Sequence, residues 1–278
     1  MTYEMIDVAQ DDGIVTAVIS APPCNVMTVE LWGELDRLSL EIEADEAARI
    51  LVMKSADPDF FIAHFDVAAI LDREVSMPVL PAQKPKAYHV MCERFRMMNT
   101  VTIAQIEGRI GGGGSELAAS FDMRFGVRGK TVVNQMEVAL GILPGGTGTQ
   151  RLPWMLGRGR ALELILGCDD LDAETAEAWG YLNRAFEADE IGPFVDNLAR
   201  RIASFPKQAV DLAKRSVDAA SKPLADGLTD EAFLFQVLLA SPEAKHNMAK
   251  FLEIGGQTRE GEARMGELCA ELGRVASG

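Results

Sequence analysis

Four consecutive glycines, Gly111 to Gly114, constrain this chain more than any other feature. They follow an apolar run suited to a strand (Val101, Ile103, Ala104, Ile106) and precede Ser115-Glu116-Leu117-Ala118-Ala119, a helix pattern. Adjacent glycines are costly in backbone entropy, so a fold keeps them where something must approach the main chain closely. A glycine turn feeding a helix presents unpaired N–H groups at the positive end of the helix dipole. Such a site receives negative charge, either a bound phosphate or an oxygen that becomes anionic during a reaction.

Spacing decides against the phosphate. A dinucleotide fingerprint starting at Gly111 needs glycine at 116, where Glu116 would repel a pyrophosphate. Gly129-Lys130-Thr131 resembles the end of a P-loop, but Arg124 stands where that motif needs glycine. A nucleophile elbow around Ser115 fails at Leu117. What remains is a site for a developing oxyanion with a carboxylate one turn away.

Composition narrows the setting. The 278 residues carry a formal charge of −15, which argues against nucleic acid and anionic membrane surfaces as partners. Cys24, Cys92, Cys168 and Cys269 lie far apart with no Cys-x-x-Cys spacing, so they read as buried thiols of a reducing compartment, without zinc or disulfides. Met1-Thr2-Tyr3-Glu4 shows no basic apolar leader and no apolar run reaches membrane-spanning length, so a cytoplasmic protein is expected.

Along the chain, Met5 to Val8 and Ile14 to Ile19 read as strands around Asp11-Asp12-Gly13. Thr28 caps a helix whose Leu31, Leu35, Leu38 and Ile42 recur at helical spacing. Ile50 to Met53 is a short buried strand, and Asp66 to Leu71 a helix leading into Pro78, Pro81 and Pro85, which read as a mobile lid. Ala87, Val90, Met91, Phe95 and Met98 share one face of a longer helix. Beyond Arg158 apolar residues fall at helical spacing in successive segments, including Leu224 to Leu239 and Met248 to Ile254; only Tyr181 to Phe186 interrupts as a strand. This reads as an α/β chain, divided into a core over residues 1–200 and an all-helical region over 201–278.

The central stretch resembles the signature of the crotonase (enoyl-CoA hydratase/isomerase) superfamily. The likeness rests on the glycine run with Glu116 and Leu117, and on Leu140-Gly141-Ile142-Leu143-Pro144-Gly145-Gly146-Thr147-Gly148-Thr149-Gln150-Arg151-Leu152. It implies a crotonase-like ββα spiral core whose helical C-terminal region holds trimers, often stacked as hexamers. The activity it implies is addition of water to a 2-enoyl-CoA through an enolate, with no metal or other cofactor beyond the coenzyme A of the substrate. Isomerisation of a double bond, hydrolysis of a carbon–carbon bond, or acyl-CoA binding without catalysis are the alternatives.

Carried over by position, the resemblance makes Glu116 and Glu137, twenty-one residues apart, the acid–base pair around one water. Two nearby carboxylates suit that task, because repulsion and burial separate their acid and base roles. Read singly, Glu116 could be a dipole-favoured residue at a helix start and Glu137 a solvated strand end. The resemblance makes the backbone N–H groups of Phe65 and Gly113 the oxyanion donors. It puts Cys24, Val26, Ala63, His64, Asp66, Gly112, Leu140 and Gly145 along the substrate. Two positions depart from the pattern: His64 stands where the family has glycine and Phe65 where it usually has alanine. The loop before Asn25 and the segment after Phe251 both lack the family's basic residues, leaving Lys84, Lys86, Arg128 and Lys130 as substitutes for holding coenzyme A. His64 itself reads as a structural hydrogen-bond partner ahead of an extra proton donor.

Overall fold

A computed structural model describes residues 3–76, 84–205, 207–218, 232–233 and 235–275. In chain order its strands are β1 (Ile6–Asp11), β2 (Ile14–Ile19), β3 (Ile50–Ser55), β4 (Phe60–Ile62), β5 (Val101–Ile106), β6 (Arg109–Gly111), β7 (Met123–Val127), β8 (Val132–Asn134), β9 (Leu171–Asp172) and β10 (Arg184–Phe186). From β3 to β8 successive strands alternate between two sheets, ordered β1-β2-β3-β5-β7-β10 and β4-β6-β8-β9. Among the described residues the β1–β2 and β8–β9 pairs are antiparallel, and the other strand pairings run parallel. Asp12 and Gly13 close the β1–β2 hairpin in the left-handed region, as the Asp-Asp-Gly turn suggests. β5 is buried along its whole length, as expected of a parallel strand covered on both faces.

The helices are α1 (Val29–Ala44), α2 (Val67–Leu71), α3 (Ala87–Met97), α4 (Gly112–Ala118), α5 (Gly148–Leu156), α6 (Arg158–Gly167), α7 (Ala173–Trp179), α8 (Ile191–Ala203), α9 (Lys207–Asp218), α10 (Pro242–Glu253), α11 (Arg259–Glu262) and α12 (Met265–Val275). Thr28 caps α1 by accepting the Leu31 N–H, and Asp66 caps α2 by accepting that of Ala68. The expected apolar face of α1 is the buried one: Leu31, Leu35, Leu38 and Ile42 are all inside. The larger core joins β1, β2, β3, α1 and α3 to α4 through α7.

One expectation about the second half needs revision. That half is not uniformly helical before β10, because Leu171 and Asp172 return as β9 beside β8. Two residues are too few to show a strand period. The division expected at residue 200 falls inside α8, whose Ile191, Val195 and Ala199 pack with Ile50, Val52, Val101 and Ile103 of the first sheet. A second core gathers Met248, Phe251, Met265, Leu268 and Leu272 with Val67, Ile70, Met136, Leu140 and Ile142. α10 and α12 are therefore folded onto α2 and the segment that follows β8. Pro78, Pro81 and much of the segment Leu224 to Leu239 lie outside the described residues. Among those described, no helix is long and apolar enough to cross a membrane.

Candidate active site

The glycine run sits where the end of β4 crosses the β6–α4 turn. A Cβ added at Gly111 would lie 2.7 Å from the Ala63 carbonyl oxygen, and one at Gly114 2.6 Å from that of Ile62. Gly112 also has φ +44°, a conformation that favours glycine. The run exists because one backbone passes directly over another.

Phe65 continues the crossing strand. It forms a parallel bridge with Met27, in which Met27 N–H donates to His64 O (2.8 Å) and Asp66 N–H donates to Met27 O (3.0 Å). In that pattern the N–H of Phe65 is not bonded to Met27 and points to the other side of the strand. A Cβ on Gly113 would lie 3.5 Å from Phe65 N, so the two expected donors are neighbours. Gly113 is the second residue of α4, where an N–H has no partner within the helix.

Both glutamates are buried beside this pair. Glu116 is 3 % exposed, and its Oε1 accepts N–H bonds from Gly146, Thr147 and Gly148 at 2.8, 2.8 and 2.7 Å. Thr147 Oγ1 also donates to the Glu116 carbonyl. The Pro-Gly-Gly-Thr-Gly loop thus holds Oε1 of Glu116 in place. A Cβ on Gly146 would lie 2.5 Å from Glu116 Oε2, which explains why the loop carries no side chain there. Glu137 is 7 % exposed, not the solvated strand end its local sequence allows. It follows β8, and its Oε1 comes within 3.2 Å of a Cβ built on Gly112. The β6–β8 register, Gly111 opposite Asn134, brings it there.

Tyr88 of α3 joins these parts. Its hydroxyl donates to the Gly113 carbonyl at 2.6 Å. Burial first, then the Cys92, Glu116 and Glu137 side chains nearby, push that hydroxyl well above the ordinary tyrosine range, so it stays a donor. Its ring packs with Trp32 and Phe65 at centroid distances of 6.1 and 6.2 Å, and Trp32 meets Phe65 at 6.1 Å. Nothing in the spacing of Trp32 or Tyr88 marks them in the sequence.

The structure separates two of the expected substrate contacts from the site. The His64 side chain faces away from it: Nε2 lies 2.7 Å from Oε1 of Glu262, and Nδ1 lies 2.8 Å from the Phe65 carbonyl. His64 does not adopt positive φ, so replacing glycine there creates no left-handed strain. Asp66 spends its carboxylate on the Ala68 N–H and on Gln257. Leu140 is buried in the second core, while Cys24, Val26 and Ala63 cluster with Phe60 under the loop before α1. Burial pushes the Cys24 thiol up to about 12, keeping it inert. The carbonyl of Gly145 accepts from Nε2 of His89, whose Nδ1 accepts the Lys86 N–H at the start of α3.

A cation does reach the loop around Cys24, from the far end of the chain. Arg259 of α11 donates to the Pro23 carbonyl at 2.9 Å and pairs with Asp57 and Asp59. With Arg109 and Lys130 it borders a cavity of about 310 Å³. Arg128, by contrast, pairs with Glu177.

The sequence signature described as enoyl-CoA hydratase/isomerase matches residues 9–259. A crotonyl-CoA hydratase of Syntrophomonas wolfei is 29% identical over 91% of this chain and 96% of its own. A short-chain-enoyl-CoA hydratase of Clostridium acetobutylicum is 28% identical over the same shares, 91% and 96%. Among solved structures, a Streptomyces avermitilis protein assigned as an enoyl-CoA hydratase superposes with TM-score 0.88 at 33% identity, covering 98% of this chain and 100% of that one. Pseudomonas aeruginosa OdaA superposes with TM-score 0.79 at 26% identity, over 90% of this chain and 99% of the other.

Proposed function

This chain belongs to the enoyl-CoA hydratase/isomerase family, and we propose that it adds water across the C2=C3 bond of a 2-enoyl-CoA. The reading rests on one observation above all: two buried carboxylates, Glu116 and Glu137, flank a turn whose Gly113 N–H neighbours that of Phe65. The names of its hydratase relatives support the same substrate class.

In this reading the thioester oxygen accepts from Phe65 and Gly113. Glu116, held rigid by three N–H groups, orients the water and takes its proton. The water oxygen bonds to C3, the π pair moves through C2 to the thioester oxygen, and the resulting enolate is stabilised by the two donors. Collapse of the enolate takes a proton at C2 from Glu137, and proton exchange with solvent returns both carboxylates to their starting states. One such donor is worth about 2.7–4 kcal/mol to the transition state. Tyr88 contributes by tying down the Gly113 peptide. The family resemblance further supports assembly as a trimer or a pair of stacked trimers.

A crystal soaked with acetoacetyl-CoA tests the reading. Its thioester oxygen should sit about 2.7–3.1 Å from both N–H groups. An oxygen bound elsewhere, or to one donor only, would contradict it.

A further inference from the structure

The two residues flanking Phe65 are both tied to one turn of chain near the C-terminus. On one side, His64 Nε2 meets Glu262 Oε1 at 2.7 Å, and the same oxygen accepts the Gln257 N–H at 2.7 Å. On the other, Gln257 Nε2 donates to Asp66 Oδ1 at 2.6 Å. His64 and Glu262 are each 1 % exposed, which is rare for ionisable residues unless they are paired.

The protonation state follows from the partners. Nδ1 faces a carbonyl and Nε2 a carboxylate, so a ring that donates to both carries two protons and is a cation. The buried charges of His64 and Glu262 offset each other. Phe251 of α10 covers the imidazole edge-on at 5.7 Å. The turn bearing Glu262 is itself well made: Thr258 caps α11 through the Gly261 N–H, and Arg259 fastens it to Pro23, Asp57 and Asp59.

Phe65 therefore lies between two side-chain ties to residues almost two hundred positions away, in addition to its bridge with Met27. An oxyanion donor works only where it is aimed beforehand, and a misplacement of about 1 Å can cost about a hundredfold in rate. We propose that Glu262 and Gln257 are positioning residues for the reaction: through His64 and Asp66 they hold the Phe65 N–H against that of Gly113. The glycine of the family pattern offers no side chain at 64 to be held. In this chain the imidazole supplies one, and the turn from Gln257 to Glu262 holds it. This inference rests on the hydratase reading above.

The test compares wild type with Gln257→Gly and Glu262→Gln, using crotonyl-CoA turnover and the near-ultraviolet enolate band of bound acetoacetyl-CoA. Gln257 has φ +61°, so glycine removes the side chain without straining the backbone. Each variant should lose about tenfold to a hundredfold in kcat with KM little changed, because the donor matters most in the transition state. The enolate band should weaken alongside, while the circular dichroism spectrum stays native. Wild-type kcat and an undiminished band in folded Gln257→Gly would overturn the inference, and that variant decides alone should Glu262→Gln not fold. A wild-type protein giving neither turnover nor band overturns the hydratase reading and this inference with it, whereas an active wild type with unaltered variants overturns this inference only.

Discussion

Oε1 of Glu262 lies 2.7 Å from Nε2 of His64 across 198 residues of chain, and water reaches neither side chain appreciably. This pair turns an apparent irregularity of the glycine-rich family pattern into a structural joint. Its consequences for stability can be measured separately from catalysis.

Removing one partner should cost more than removing both. His64→Gly leaves the Glu262 carboxylate buried without its cation, a loss of about 3–5 kcal/mol. The double change His64→Gly with Glu262→Leu should recover much of that loss. Urea unfolding of the two variants checks the difference.

The pair also sets a pH dependence. Burial, the largest single influence on His64, pulls its pKa down. The charge and hydrogen bond of Glu262, the Phe65 carbonyl and Asp66 outweigh it, so the folded value is raised. Glu137 stands across Gly112 from the His64 Cβ and adds another carboxylate on that side. A raised folded pKa means that the native state keeps a proton the unfolded chain has released. The stabilisation is complete below the unfolded value of about 6.5 and is lost as pH rises through the higher folded one. Denaturation midpoints should fall over that window in wild type, and the His64 contribution should be absent from His64→Asn.

Phe65→Ala should widen acyl selectivity while keeping turnover of small substrates. A backbone donor does not depend on side-chain identity, and the ring it loses stands edge-on to Trp32 and Tyr88. Relative kcat/KM for short and long 2-enoyl-CoAs measures the change. Equal losses for both would mean that the ring positions the donor instead of limiting the acyl chain.

Gly146→Ala should damage the site from the loop side. The new methyl would lie 2.5 Å from Glu116 Oε2 and 2.7 Å from Tyr88 Cε1, so the loop or the carboxylate must move. Overpacking of this kind costs about 1–3 kcal/mol. Activity should fall further than stability alone explains, which kinetics at a temperature well below the melting transition would reveal.

Much of this site was legible in the sequence because its parts are local. The glycine run signals a close approach at the residue level, and the cap at Thr28 has side-chain chemistry that works over three positions. The loop that holds Glu116 is also one contiguous motif. His64 and Glu262, by contrast, follow no period and share no segment, so neither residue announces the other. Arg259 is equally hidden: it supplies the Cys24 loop with a cation from 236 residues beyond Pro23. β9 was missed because its two residues are defined by the partner strand alone.

The central claim is that Glu116 and Glu137 act together, and steady-state hydration of crotonyl-CoA by wild type, Glu116→Gln and Glu137→Gln tests it most directly. Glutamine at 116 still offers an oxygen to the three N–H groups of the loop, so the fold should persist. Each variant should lose about 10²–10⁴ in kcat. Near-full hydration by either folded variant would contradict the two-carboxylate mechanism, and turnover retained in Glu137→Gln alone would indicate a one-glutamate isomerase.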